Sequence, residues 1–467
     1  MKPILILLQL QIVFSLLNSA FADEKVNSRG DTFVAALPLD WDVIPGSWKY
    51  FDVMDCFTSG QSCFGNNPTS PYGYPSFLNS TTQQEEMSFK MDPSEAVVIF
   101  LRTPPQVRYF GFSQYLFNRD GIEKPVFASL SDTLNHLKMT TTGSSQPVPN
   151  NFDQYAVIVW TADLNTLASI KQMLRQQGIP DSEINFIPIP IELPLNMGQT
   201  ATSDTFSMLM RTALPAVPAN YDLYMEEKPF YLVKVKPQTP APLSPAPILG
   251  YGSEISGKTE STSLQTTTDL QDALNSLVED IKENYINKFY LQDQVVKYTS
   301  KVGWDCINGN GQCNGDNHDA LYSLDIPKTV KLQNSDLVIV AGVNHKKTGK
   351  ALYLNHSVYD TVKLAGIVAV SDPSLTTGSA LYHAGVTAPK DPRRLKYKNL
   401  YAYVISYKCE DLSYCLSIPA PTETNPVGLT PGAPFYLIGR SYVDPSTQVR
   451  PSSQEIIPHQ VILARQK

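Results

Sequence analysis

Histidine is scarce in this chain, and five of its six copies fall in the second half: His318, His345, His356, His383 and His459. Imidazole is the side chain whose ordinary pKa lies near neutrality, and it is the commonest ligand to transition metals. His345 sits in GVNHKKTGK beside Asn344, directly after an apolar run. His318 sits in DNHD, between Asp316 and Asp319. Convergence of His345 and His383 with Asn344 would make an acid–base site, and convergence of His318 and His345 with Asp316 would make a metal site. No pair has ligand-type spacing on a regular element, which favours five separate surface-loop histidines over a joint site.

Other chemistries leave little trace. The chain has no GxSxG, HExxH, Walker A or GxGxxG signature. The run NGNGQCNGDNHD fails as an EF-hand, because counting Asn310 as the first ligand places Leu321 where the bidentate Glu belongs. Glu226 with Glu227, and Asp319 with Asp325, are paired carboxylates in polar settings, but sequence does not set their separation in space. Tyr72 and Tyr74 in SPYGYP, and Tyr382, read as loop tyrosines suited to stacking on a sugar or meeting a protein partner. Tyr109, Phe110, Phe112 and Tyr115 read as strand aromatics of a core. A net charge of -7 with no Lys/Arg run argues against nucleic acid as a partner.

The cysteines and the first residues point to export. All six cysteines form near pairs, Cys56 with Cys63, Cys306 with Cys313 and Cys409 with Cys415, which predicts three local disulfides. Their spacings are wider than the Cx2-4C of zinc sites. Lys2, an apolar run from Ile4 to Leu17 and Ala20-Phe21-Ala22 predict a signal peptide over 1–22. No later stretch is apolar enough to span a bilayer, so no stable membrane insertion is expected after cleavage. Asn79-Ser-Thr and Asn355-His-Ser are glycosylation sequons.

The elements that must position these residues come in two sets. At 467 residues the chain exceeds what one core comfortably fills, so two domains are expected. VVIFLR near Ala96, YAVIVWT (155–161), FSMLMR (206–211) and FYLVKV (230–235) read as strands, and Asp163 begins a helix with Leu167, Ile170 and Leu174 on one face. The second half repeats the order with LVIV (337–340), YAYVI (401–405), FYLIGR (435–440) and QVIL after Pro458. The cysteine segments also match, DCFTSGQSCFGNN (55–67) with DCINGNGQCNGDN (305–317). Colinear agreement predicts a duplication. The fold class expected is α+β: two similar, mainly β domains with few helices, over 23–236 and 263–467. A Pro/Ser-rich linker (237–262) joins them, followed by an amphipathic helix capped by Thr268 and Gln271 and running to about residue 291. In the second copy, CEDLSYC (409–415) stands where the first has its helix.

YLFNRDGIEKPVFASLSDTLNHL (115–137), GVNHKKTGKALY (342–353) and VDPSTQVRP (443–451) resemble a family of secreted, uncharacterised proteins. That resemblance covers most of the mature chain and implies no activity, cofactor or catalytic residue. The expectation is a secreted two-domain protein binding a small-molecule or glycan ligand without catalysis. The alternative is a secreted hydrolase or metal-dependent enzyme with its site on the second repeat.

Overall fold

In the computed structural model the described residues are 24–59, 62–79, 82–248, 257–299, 303–309 and 311–467. The expected signal peptide and residues 249–256 of the expected linker lie outside them. Among the described residues no helix is long and apolar enough to cross a membrane. Strand accounts for 34% and helix for 19%, so the α+β class holds with β dominating.

The chain forms two compact units that interleave in sequence. Unit 1 draws on the described parts of Met1–Phe51, Tyr72–Gly250 and Val302–Asp316, and unit 2 on those of Asp52–Pro71, Tyr251–Lys301 and Asn317–Lys467. The two cysteine segments are therefore exchanged, each built into the unit of the opposite half. Three disulfides, Cys56–Cys63, Cys306–Cys313 and Cys409–Cys415, close them and the late turn.

Unit 1 contains β1 (Trp41–Tyr50), β2 (Tyr72–Leu78), β3 (Glu85–Glu86), β4 (Ala96–Arg102), β5 (Val107–Asn118), β6 (Ala128–Ser129), β7 (Leu134–Asn135), β8 (Tyr155–Thr161), β9 (Ile184–Pro188), β10 (Thr205–Pro215) and β11 (Phe230–Pro237). The sheet order is β6-β5-β10-β2-β1-β11-β4-β8-β9. Alternation divides the long strands between two cores. Val98, Phe100, Val157 and Val159 pack under helix α1 (residues 24–35) and helix α3 (Leu164–Gln176), while Val97, Ile99, Ile158 and Trp160 face the aromatic side with Phe110 and Phe112. Helix α2 (Val53–Ser59) holds Cys56 and belongs to unit 2; α4 (Pro218–Glu227) completes unit 1.

Unit 2 carries α5 (Thr267–Tyr285), β12 (Phe289–Gln294), β13 (Lys297–Tyr298), β14 (Ala320–Lys331), β15 (Leu337–Val343), β16 (Tyr353–Asp360), β17 (Gly366–Ser371), α7 (Thr377–His383), α8 (Arg393–Lys396), β18 (Leu400–Ser406), β19 (Cys415–Ser417), β20 (Pro434–Tyr442) and β21 (Gln460–Gln466); α6 (Gly303–Gly309) belongs to unit 1. One sheet runs β12-β21-β15-β18-β19 and the other β13-β14-β20-β16-β17. Placed end to end at β13 and β12, they follow the connectivity of unit 1, including its parallel edge pair: β8 with β9 there, β18 with β19 here. The disulfide-closed turn takes the place of α3 between that pair. Helices α5 and α7 cover the outer face of the first sheet, against Ile339, Ala341, Ala402 and Ile462.

Three local expectations fail. The segment expected to be a loop around Tyr72 and Tyr74 forms β2 instead. Pro75 is tolerated because β10 pairs with β2 only at Tyr72 and Gly73, so the missing N–H lies where that side is open. The cap of α5 is Thr266 with Asp269, each bonding the other's backbone, rather than Thr268 with Gln271. That helix stops at Tyr285, because Phe289 and Leu291 are drawn into pairing with β21.

Candidate metal centre

Ser323 on β14, Gly439 on β20 and His356 on β16 stand in one row across three adjacent strands. Outer members of such a row are about 10 Å apart at the backbone, so their side chains meet only if the middle residue leaves room. Gly439 leaves it: a Cβ there would lie 2.5 Å from Ser323 Oγ, 3.0 Å from Asp325 Oδ2 and 3.2 Å from His459 Cε1. Asp325 falls where the β14–β20 register shifts between Leu324 and Ile326. Such an irregularity re-aims a side chain, and Asp325 Oδ1 accepts from Ser323 Oγ at 2.5 Å.

The facing sheet of unit 2 supplies the rest by the same device. Tyr401 on β18 is paired with Gly342 on β15, where a Cβ would approach the Tyr401 hydroxyl to 2.7 Å and His459 Cβ to 2.8 Å. His459 immediately precedes β21. Between the sheets the Asp325 carboxylate is bonded to both imidazoles, Oδ2 to His356 Nδ1 at 2.9 Å and Oδ1 to His459 Nε2 at 2.8 Å. His356 Nε2 meets the Tyr401 hydroxyl at 2.7 Å.

Asp325 is fully buried, and both imidazoles are buried. Burial works to raise the carboxyl pKa, but the His459 and His356 imidazoles outweigh it and hold the group well below the usual carboxylate range. Burial pushes His356 down, only partly countered by its bond to Asp325. Burial and the Asp325 charge push Tyr401 far up. At neutral pH this leaves an ionised Asp325 and a neutral His356 that donates from Nδ1 and accepts the Tyr401 hydroxyl proton at Nε2.

Beside the cluster lies a cavity of about 10 Å³, lined among others by Tyr298, His345, His356, Tyr401, Arg440 and His459. That volume suits a single water-sized particle. The Tyr298 hydroxyl is buried with no hydrogen-bond partner. His345 is fixed from behind: its Nδ1 lies 2.8 Å from Glu260 Oε1, which also accepts from Thr348 Oγ1, while Glu260 Oε2 accepts the Ile457 N–H at 2.9 Å.

Two imidazole nitrogens and one carboxylate oxygen within 4.8 Å of one another are a ligand set for one ion. Imidazole with carboxylate suits zinc and its first-row neighbours. A bound ion would take the place of the His356 Nδ1 and His459 Nε2 protons now shared with Asp325. His356 would then donate from Nε2 to the Tyr401 oxygen, the outer hydrogen bond that orients a ligating histidine.

The histidines are not surface residues: all five are buried. They cannot be solvated loop groups because polar partners and strand pairing draw them in. Of the residues that sequence placed in a joint site, His318, His345, His383, Asn344 and Asp316, only His345 lines the cavity. Asn344 holds the turn after β15, accepting from the N–H groups of Lys346 and Lys347 and donating to the Leu375 carbonyl. His383 is locked between the Tyr285 hydroxyl (2.8 Å) and the Tyr414 carbonyl (3.2 Å). His318 is buried elsewhere in unit 2. Asp316 belongs to unit 1, where its carboxylate takes the N–H groups of Ser129 and Gly303 and the Ser129 hydroxyl. Asn355 is buried and donates to Asn67 Oδ1 at 2.8 Å, so the folded chain does not present its amide. Asn79 is half-buried and donates to Glu86.

No family model and no curated protein matches the chain. Among solved structures it is similar to an uncharacterised protein from Burkholderia cenocepacia, at 11% identity over 95% of each chain with a TM-score of 0.38. It is also similar to a protein from Vibrio parahaemolyticus, at 12% identity over 85% of this chain and 90% of that one with a TM-score of 0.37. Both likenesses are too distant to assign a chemistry.

The sequence match between FSMLMR and FYLIGR allows a comparison with unit 1. In FSMLMR the position matching Gly439 of FYLIGR is Met210, and its partner on β5 is Phe112 rather than histidine. Trp48 lies edge-on to Phe112 and stacks on Phe230, with ring centroids 3.9 Å apart. Aromatic rings therefore pack around that strand of unit 1.

Proposed function

We propose that this is an exported, disulfide-stabilised metal-binding protein whose second unit holds one late first-row divalent ion on Asp325, His356 and His459. One observation carries the reading: three ligand atoms of suitable type converge within 4.8 Å at a site where unit 1 packs aromatic rings. The cavity favours an ion over the small-molecule or glycan ligand expected from sequence, because about 10 Å³ holds neither. It equally disfavours a hydrolase acting here on a sizeable substrate. Three disulfides support export, in line with the expected signal peptide.

We read the units as copies of one ancestral module, the second having exchanged aromatic packing for ligands. Support comes from the colinear sequence matches and the shared strand connectivity. The test is metal content after equilibration with Zn²⁺, Cu²⁺ or Ni²⁺ and desalting. One equivalent in the wild type, lost in His356→Phe and His459→Phe, is expected. A wild type that stays metal-free with all three ions overturns the reading.

A further inference from the structure

The three ligands leave the ion short of four-coordination, and the cavity beside them is neither apolar nor large. It is lined by His345 and Tyr298 among others, while the Arg440 guanidinium is turned to Ser357 and the Gly65 carbonyl. Tyr298 is the informative residue. Its hydroxyl is removed from solvent and meets no acceptor or donor, an arrangement that is unfavourable unless something absent from the chain itself satisfies it. Burial, with the Asp325 and Glu260 charges adding to it, opposes its ionisation, so it stays a neutral O–H donor. The His345 Nδ1–H is spent on Glu260, a carboxylate whose two oxygens are otherwise occupied by Thr348 and the Ile457 N–H. His345 is thus held in place at the cavity by its bond to Glu260.

We propose, resting on the metal-centre reading above, that the ion keeps one exchangeable coordination position in this cavity, filled by a water or a single-atom anion that the Tyr298 hydroxyl hydrogen-bonds. The volume suits a ligand of one heavy atom better than a triatomic anion.

Copper-loaded protein gives a direct readout. Nitrogen superhyperfine structure in the electron paramagnetic resonance spectrum reports the imidazoles, and addition of sodium fluoride adds a fluorine splitting if the anion coordinates the ion. The expected result is fluorine splitting in the wild type, weakening of fluoride affinity by about tenfold in Tyr298→Phe, and no change on adding azide. Nitrogen splitting that fluoride leaves untouched overturns the open position while the metal centre stands. Fluoride binding unchanged in Tyr298→Phe, or azide binding as tightly as fluoride, overturns the role of the hydroxyl or the one-atom limit. Absence of nitrogen splitting removes the centre itself. The wild-type fluoride titration decides the main point even if Tyr298→Phe does not fold.

Discussion

Gly439 stands directly opposite His356 in the β16–β20 ladder, and its missing side chain is what lets the imidazole reach Asp325. Gly342 repeats the relationship with Tyr401 on the facing sheet. Gly439→Ala and Gly342→Ala are each expected to destabilise the protein by about 1–3 kcal/mol, the range for overpacking, and to abolish metal retention. Urea unfolding with parallel metal analysis checks this. Alanine variants that keep both stability and metal would show the glycines to be incidental.

Asp325 depends on two imidazoles for its charge. In the metal-free protein His356→Phe strips one away and is expected to cost about 3–5 kcal/mol. Adding Asp325→Leu removes the stranded carboxylate, so the double variant should be more stable than His356→Phe alone. A double-mutant cycle by denaturant unfolding measures that coupling. Additive losses would mean the pair is not coupled.

Two histidines outside the centre should govern acid stability. Burial pushes both His136 and His383 down to about 4. Their folded values lie below the ordinary 6.5, so between about pH 4 and 6.5 the unfolded chain binds more protons than the folded one. Their contribution is complete above that window and is lost as pH falls through it, by about 3 kcal/mol for each. Stability measured from pH 7.5 to 4.5 is expected to fall less steeply in His383→Leu, whose site otherwise protonates against the Tyr285 and Tyr414 bonds. An unchanged slope would contradict the assignment.

The cysteine segments make a different prediction. Cys306 is buried in the aromatic core of unit 1 although it lies in the second half of the chain. Replacing Cys306 and Cys313 together by alanine removes the closure of a short loop and is expected to cost about 2.5 kcal/mol. Calorimetry should show the loss mainly in whichever transition belongs to unit 1; a loss confined to unit 2 would argue against the exchange.

Much of the scaffold was legible because its signals are local. LVIV, YAYVI and FYLIGR carry the continuous apolar runs of buried strands, and cysteines seven or six residues apart pair with each other. The centre was not legible, because Asp325 meets partners 31 and 134 residues away. His356 was masked by its sequon, and His345 has no ligand-type spacing to another histidine on a regular element. A usable sign was present in LVIVAGV and FYLIGR, where an isolated glycine inside an apolar strand marks close approach by another group. Which unit each cysteine segment joins depends on tertiary packing that no local pattern records.

Anomalous X-ray scattering from a crystal equilibrated with Zn²⁺, collected on both sides of the zinc edge, locates the ion without relying on activity. A single strong peak between Asp325, His356 and His459 is the predicted result. A map with no peak there, with Asp325 still hydrogen-bonded to both rings, would contradict the account.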